Sequence, residues 1–410
     1  MWQGVKNVYH FLQAIIALLV YGFPGRGIII IGVTGTDGKT TTASLIYHIL
    51  INAGKKAALI SSVGAVINGK ASDIGLHVTT PGRFDIQKYL RKAQKVGIKY
   101  VVLEVTSHAL DQHRAYGVPF AVGVVTNVTR EHLDYHKTYN NYVHVKAKLL
   151  RKAKIAVINK DDQSYLRIKK HELKGKDKRI VTYGMKKDSD LNPHNFPFRT
   201  KLLGKFNEYN CLAAIAVLRE LHLADDLIRK GIVSFKAPVG RQEVIYDKDF
   251  TVINDFAHTP NSFASILPEV KKITKNRLIH VFGAAAKRDV YKRPEMGQLS
   301  AKYADIIVLT SEDPRGENIE KINNEILKGI SNSKFQVLNL QKVENIKKDG
   351  KYVFKIPDRK EAINFVISIA QKGDVVLLTG KGHEKSINYG RGEQPWNETE
   401  IALQSIRSMR

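Results

Sequence analysis

IIIIGVTGTDGKTTTASLIYHILINAG, residues 28–54, is the stretch on which the fold turns. Its opening IIIIGV is β-branched apart from Gly32 and reads as a short buried strand. The loop Gly35-Thr36-Asp37-Gly38-Lys39-Thr40-Thr41 follows, and from Ser44 apolar residues return at helical spacing until Gly54. Strand, glycine turn and helix in that order leave bare backbone N–H groups and a helix dipole aimed at one point, which favours a phosphate. Lys39 is then placed to reach the β- and γ-phosphates of a nucleotide, and Thr40 to hold Mg²⁺. The spacing departs from the usual phosphate loop, because Gly35 precedes Gly38 by three positions rather than five.

Outward from this loop the alternation continues. YVVLEV (100–105), AVGVVTNV (121–128) and KIAVINK (154–160) read as buried parallel strands, with periodic helices such as FDIQKYLRKAQKVG (84–97) between them. The expected architecture is α/β: a doubly wound, P-loop ATPase-like central domain over 28–237. The basic stretch HELKGKDKRIVTYGMKKDSDLNPHNFPF (171–198) reads as an excursion into antiparallel hairpin or loop, followed by a helix in EYNCLAAIAVLRELHL (208–223). From about Gly240 a second alternation starts, with TVINDFAH, LIHVFG, DIIVLTS and DVVLLTGKG as strands, giving a smaller Rossmann-like C-terminal domain over 238–410.

Composition sets the limits. With 410 residues, 43% hydrophobic and 25% charged, the chain is globular and long enough for two or three cores. Lys plus Arg exceed Asp plus Glu by 65 to 39, a formal net charge of +26 scattered along the chain, which suits polyanionic partners or simply a solvated basic surface. The single Cys211 excludes a disulfide framework and a cysteine zinc site and fits a reducing cytoplasm. The start, MWQGVKNVYHFLQAIIALLVYGFPGRG, is apolar from about Phe11 to Phe23; that is too short to span a bilayer, which takes roughly 20 apolar residues. It lacks the charged n-region and cleavage site of a signal peptide. Residues 1–27 are expected to form a helix that lies on a membrane surface or packs on the neighbouring domain.

Three further segments, taken with the compact loop, resemble the Mur ligases. TTPGRFD from Thr79, EVTSHALDQHR from Glu104 and TNVTREHLDYH from Thr126 are similar to that family's TTP, EVSSHAL and DHLD-YH segments, and most like those of its members that add the third amino acid to a muramyl dipeptide. The resemblance runs from Gly32 to near the C-terminus. Independently of it, Glu104 and His132 lie just beyond separate strand ends, where open α/β sheets place ligands. With Thr40 they would hold two Mg²⁺ ions that clamp a γ-phosphoryl group.

The resemblance implies more. Lys146, within YVHVKAKLL, falls where the family carries a carbamylated lysine that supplies an oxygen ligand to the second metal. ATP contacts would come from Gly35–Thr41, Asn207, Asn210, Arg241 and Asp255, and acceptor contacts from Thr79, Thr80, Ser107, Gln112 and Arg114. The amino acid would meet Arg288, Glu312, Asp313, Pro314, Arg315, Gly380 and Glu384, the last two within GKGHE. Asp313 stands where the family has asparagine, and the added anion would favour an ammonium group over a second carboxylate; meso-diaminopimelate and L-lysine both stay open. The stretch before Gly32 is too short for the family's uridine-diphosphate-holding N-terminal domain. The acceptor is therefore expected to be gripped by sugar and peptide alone, presented by a partner chain, or carried on a lipid near the N-terminal helix.

The expected reaction is ATP-dependent amide formation through an acyl phosphate, by a monomer in the cytoplasm, at the inner face of the membrane if residues 1–27 lie there. Catalysis falls to Lys39, Glu104, His132 and Lys146. A folylpolyglutamate- or cyanophycin-type ligase is a rival that EVTSHALDQHR and EDPR oppose. A nucleic-acid-dependent P-loop ATPase would suit the charge but lacks an aromatic-interleaved basic groove, so no nucleic acid is expected. A catalytically silent, membrane-associated scaffold is the third alternative.

Overall fold

The computed structural model describes residues 2–75, 79–175, 178–286, 290–331, 334–338 and 350–409. The chain divides into two compact units, Met1–Lys236 and Ala237–Arg410.

The first unit is built on β1 (Ile29–Thr34), β2 (Ala57–Ser61), β3 (Gly64–Ile67), β4 (Lys70–Ser72), β5 (Tyr100–Glu104), β6 (Phe120–Val125), β7 (Ile155–Asn159) and β8 (Arg179–Tyr183). They form one sheet in the order β4-β3-β2-β5-β1-β6-β7-β8. β1 lies in the middle, parallel to β5 and β6, and the strand order reverses around it. That is the switch point at which open α/β sheets open a crevice. Because side chains alternate across a strand, Ile31 and Val33 enter one apolar cluster and Ile30 the other, while Val102 and its neighbours Val101 and Leu103 divide the same way. Both faces are therefore buried, which explains why these strands read as unbroken apolar runs.

Six helices of this unit bear on the site: α1 (Trp2–Tyr21), α2 (Lys39–Asn52), α3 (Arg83–Lys95), α4 (Ser107–Asp111), α5 (Leu133–His136) and α6 (Tyr139–Lys152). The inner face of α1 packs onto the unit, with Ala14, Ala17 and Leu18 buried and Phe11 edge-on to the rings of His113 and Tyr116. No helix among the described residues is long and apolar enough to cross a membrane.

The second unit sheets β9 (Glu243–Asp247), β10 (Thr251–Asp255), β11 (Leu278–Phe282), β12 (Ile306–Leu309), β13 (Gln336–Leu338), β14 (Tyr352–Lys355) and β15 (Val375–Thr379) in the order β13-β14-β12-β11-β15-β10-β9. Only the β9 edge runs antiparallel. Val252, Val281, Val308 and Phe354 share its core.

The reading of 171–198 as antiparallel hairpin or loop holds for the turns and loop of 184–198 and is corrected at the strand before them. Arg179–Tyr183 is β8, paired in parallel with β7 at the edge of the sheet. An edge strand buries less than a central one, and RIVTY alternates apolar residues with Arg179 and Thr182, so the run of apolar residues that marks the inner strands is missing.

Candidate active site

The loop after β1 is clamped from both sides. Gly38 caps α2 with φ of 79°, a left-handed conformation that glycine adopts without penalty. A Cβ there would lie 2.2 Å from Asn210 Oδ1, and one on Gly35 would lie 1.8 Å from Thr126 Oγ1. From the β6 side Thr126 Oγ1 donates to Asp37 O (2.6 Å), and Asp37 N donates to Asn127 Oδ1 (2.9 Å). From the helix Lys205–Glu220, Asn210 accepts from Thr42 Oγ1 (3.3 Å) and donates to Asn207 Oδ1 (2.9 Å). Both asparagines are buried, so their first task is to hold the loop; the helix is capped by Gly204, and Asn207 lies inside its first turn. The result is a backbone cradle that only glycine leaves open, and it fits a phosphate.

Glu104 closes β5 beneath this cradle and is wholly buried. Thr40 Oγ1 lies 3.1 Å from each of its carboxylate oxygens, and Ser62 N donates to Oε2 at 3.0 Å. Ser62 Oγ also meets Thr40 Oγ1 at 2.9 Å. Among the described residues no side-chain cation pairs with Glu104. A buried anion facing hydroxyls is the donor set a hard divalent cation takes. No group of three or more His, Cys, Asp or Glu is placed to bind a metal unaided among the described residues, so a metal here would share its shell with hydroxyls and phosphate.

Lys146, on α6, is 1% exposed and donates to Gly35 O at 2.5 Å, with its Nζ 4.5 Å from the centre of the Tyr142 ring. Burial, then the nearby Lys39 charge, pushes its pKa well below the ordinary lysine value. Lys39 folds back to donate to Thr36 O (2.8 Å). Thr36 Oγ1 in turn lies 3.3 Å from the Tyr142 hydroxyl, whose burial raises its pKa far above the usual phenol. His132 takes a left-handed backbone at the start of α5, and its ring stands 6.2 Å from Tyr142 and 5.0 Å from His108. Lys39, Thr40, Glu104 and Lys146 are thus gathered on the loop itself, while His132 joins through Tyr142. Thr41 follows, partly exposed, on the first turn of α2.

The expected acceptor residues form a linked group beside Glu104. Thr80 Oγ1 donates to Glu104 O (3.1 Å) and accepts from Thr106 N (2.9 Å), so its hydroxyl ties two elements together. Arg114 donates to Thr80 O (2.9 Å) and to Gln112 Oε1 (2.9 and 3.2 Å). Ser107 Oγ meets the buried His136 Nε2 at 3.0 Å, and Thr79 is partly exposed next to them. Ser62, Thr126, Asn127, Tyr142 and His136 were not singled out from the sequence, although three of them sit inside the quoted TNVTREHLDYH segment. Ser, Thr and Asn near a turn are too common to flag without the fold.

The remaining candidates belong to the second unit. Asp255 accepts from the backbone of Gln242 and Ala257, both at 2.7 Å, and Arg241 lies over the Phe256 ring at 4.5 Å. Asp313 is 4% exposed; its Oδ1 accepts from Lys381 Nζ (3.1 Å) and Asn388 N (3.0 Å), and Arg315 approaches Oδ2 at 3.5 Å. Its charge is therefore offset within the protein, which removes the electrostatic reason for an incoming ammonium drawn from the sequence. Lys381, fully buried, also pairs with Glu384 at 2.7 Å. Glu312 is buried against Gly380, its Oε2 has no hydrogen-bond partner, and burial raises its pKa. Pro314 is buried between them, and Arg288 lies outside the described residues.

Residues 33–218 match the Mur ligase middle domain and residues 240–382 the Mur ligase glutamate ligase domain. The chain is 37% identical over 404 residues to a UDP-N-acetylmuramoyl-L-alanyl-D-glutamate--2,6-diaminopimelate ligase of Aquifex aeolicus, covering 94% of this chain and 79% of that one. It is 38% identical over 423 residues to a UDP-N-acetylmuramyl-tripeptide synthetase of Borreliella afzelii, covering 95% and 79%. A solved 2,6-diaminopimelate ligase superposes with a TM-score of 0.63 at 29% identity, covering 94% of this chain and 79% of that chain. A folylpolyglutamate synthase of Mycobacterium tuberculosis reaches 0.70 at 16% identity over 91% and 96%, a likeness of fold alone. With matches to both domains and identity above a third along nearly its whole length, this chain belongs to the Mur ligase family.

Proposed function

We propose that this protein is an ATP-dependent ligase that adds a diamino acid to the carboxyl end of a muramyl dipeptide. The first unit carries the ATP and acceptor chemistry and the second the amino acid. The acceptor carboxylate attacks the γ-phosphorus and releases ADP; the amine then attacks the acyl carbon, expels phosphate and gives up a proton. The observation that carries this reading is the gathering of Lys39, Thr40, Glu104 and Lys146 on one glycine cradle with the acceptor candidates beside it. Mg²⁺, held by Thr40 and Glu104, would supply charge neutralisation at the transferring phosphoryl group. Lys39 holds the phosphates, and the chain adds orientation rather than covalent help.

Lys146 is the residue we assign to carbamylation. A carbamate forms from a neutral amine, and burial followed by the Lys39 charge lowers the Lys146 pKa and so favours that form. As an anion it would offset Lys39 and offer oxygens toward the loop. The named relatives favour meso-diaminopimelate as the amino acid, and the neutralised Asp313 removes the opposing argument. The test is phosphate release with ATP, Mg²⁺ and muramyl dipeptide, with meso-diaminopimelate and L-lysine in separate arms. Release that requires both dipeptide and one diamino acid supports the reading. Hydrolysis that ignores both, or answers to single-stranded DNA, overturns it.

The outer face of α1 supports a peripheral membrane contact. Val8, Leu12, Ile16 and Leu19 are each more than half exposed and lie on one side of a helix that contains no acidic residue. With the chain's net charge of +26, the partner this face fits is an anionic bilayer surface.

A further inference from the structure

The acceptor group adjoins positive charge that no carboxylate offsets. Arg83, the first residue of α3, donates through Nη1 to Gln13 Oε1 on α1 and through Nη2 to Gln112 O at 3.4 Å. Arg114 holds the other end of the same residue, Gln112 Oε1. Two guanidiniums therefore share Gln112, and after burial the Arg114 charge is what most disfavours charge on Arg83. His10, one helical turn before Gln13, has its pKa lowered by burial and then by Arg83, Arg114 and Lys6. Among the described residues no Asp or Glu pairs with either arginine. Arg83 Nε and His10 Nδ1 are both shielded from solvent without a hydrogen-bond partner. Like charges held this close with donors left over are costly unless an anion completes them.

We propose that Arg83, Arg114 and His10 form a subsite for a phosphate or diphosphate ester carried by the acceptor, placed where the inner face of α1 meets the Gln112–Arg114 turn. A planar guanidinium donates to two phosphate oxygens at once, and His10 can add an N–H from the opposite element. The place of this subsite rests on the acceptor reading above, but its binding chemistry does not. It gives α1 a role in substrate choice, because the helix brings Gln13 and His10 to the two arginines.

Inorganic pyrophosphate is titrated calorimetrically into the full-length protein, with the phosphate loop already filled by a non-hydrolysable ATP analogue. The expected result is one site whose affinity falls about tenfold in Arg83→Gln and largely returns in Arg83→Lys. Equal affinity in Arg83→Gln and the unmodified protein, or no binding to either, overturns the subsite. In turnover, the ratio of kcat/KM for an acceptor with a C1 phosphate to that for phosphate-free muramyl dipeptide should fall about tenfold in Arg83→Gln. Equal losses on both acceptors overturn it as well. UDP-linked and short prenyl-diphosphate-linked dipeptides run in parallel, and the larger kcat/KM tells which ester the subsite serves. If the protein turns over no acceptor while pyrophosphate still binds through Arg83, the ligase reading fails and the subsite stands.

Discussion

Lys146 shows how much a single residue's surroundings decide. By sequence it is one of many lysines in a basic chain, and nothing local separates it from a solvated helical cation. In the fold it is buried against Gly35 O, and burial, then the Lys39 charge, lowers its pKa. Carbamylation of the neutral amine would place an anion beside Lys39 where a second cation is disfavoured. Protein grown or equilibrated with ¹³C-bicarbonate should show one carbamate carbon that is absent in Lys146→Arg, and Lys146→Ala should lower kcat about a hundredfold while nucleotide affinity changes little. Full turnover with no such carbon in carbonate-free buffer would leave Lys146 a plain amine. Glu104 was legible through its company. Taken singly, a carboxylate at the end of an apolar strand reads as structural or solvated; it was the co-occurrence of Glu104 with Thr40 and His132 beyond strand ends that pointed to a site.

The readable strands were buried apolar runs inside their sheets, although two-sided burial was not enough by itself: β2 and β14 also lie inside and were not read. β1, β5, β6, β7, β10, β11, β12 and β15 lie inside their sheets and stood out as apolar runs, whereas β8, β9 and β13 lie at edges and carry polar residues that break the pattern. α1 was half legible. Its apolar stretch is interrupted by Gln13, and only the fold shows that Gln13 is the polar contact to Arg83 while the apolar residues divide between two faces. The outer face spans roughly a quarter of the circumference at 3.6 residues per turn, an apolar stripe that a bilayer surface would cover. The full-length protein should co-sediment with vesicles rich in anionic lipid and much less with neutral ones, and Leu12→Glu with Leu19→Glu should abolish the difference. Binding that ignores lipid charge, or a concentration-dependent dimer lost in the same variant, would assign the face to another partner.

For the molecule as a whole, the histidines whose pKa values are held lowest lie in the second unit. In the first unit His10, His48 and His113 are only partly buried and sit at or near the surface. In the second, His258, His280 and His383 are each held down to about 3, in every case first by burial. His280 is the clearest: it is fully enclosed between Ser300 Oγ (2.9 Å) and Thr379 Oγ1 (3.0 Å), with its ring stacked on Phe282. An unfolded imidazole takes its proton near pH 6.5, so between there and about pH 3 the unfolded chain binds protons that the folded second unit refuses. The stability these residues contribute is whole above pH 6.5 and is lost as the pH falls through that window. Each histidine sets a slope of at most about 1.4 kcal/mol per pH unit, and the three together cost roughly 4 kcal/mol by pH 5.5. Denaturant unfolding followed from pH 7.5 to 5.5 should show the second unit's transition moving to lower denaturant more steeply than the first's. His280→Gln, which keeps a hydrogen-bonding side chain but cannot titrate, should remove about a third of that slope; an unchanged slope would mean that His280 is protonated in the folded state, against the enclosure that Ser300, Thr379 and Phe282 make around it.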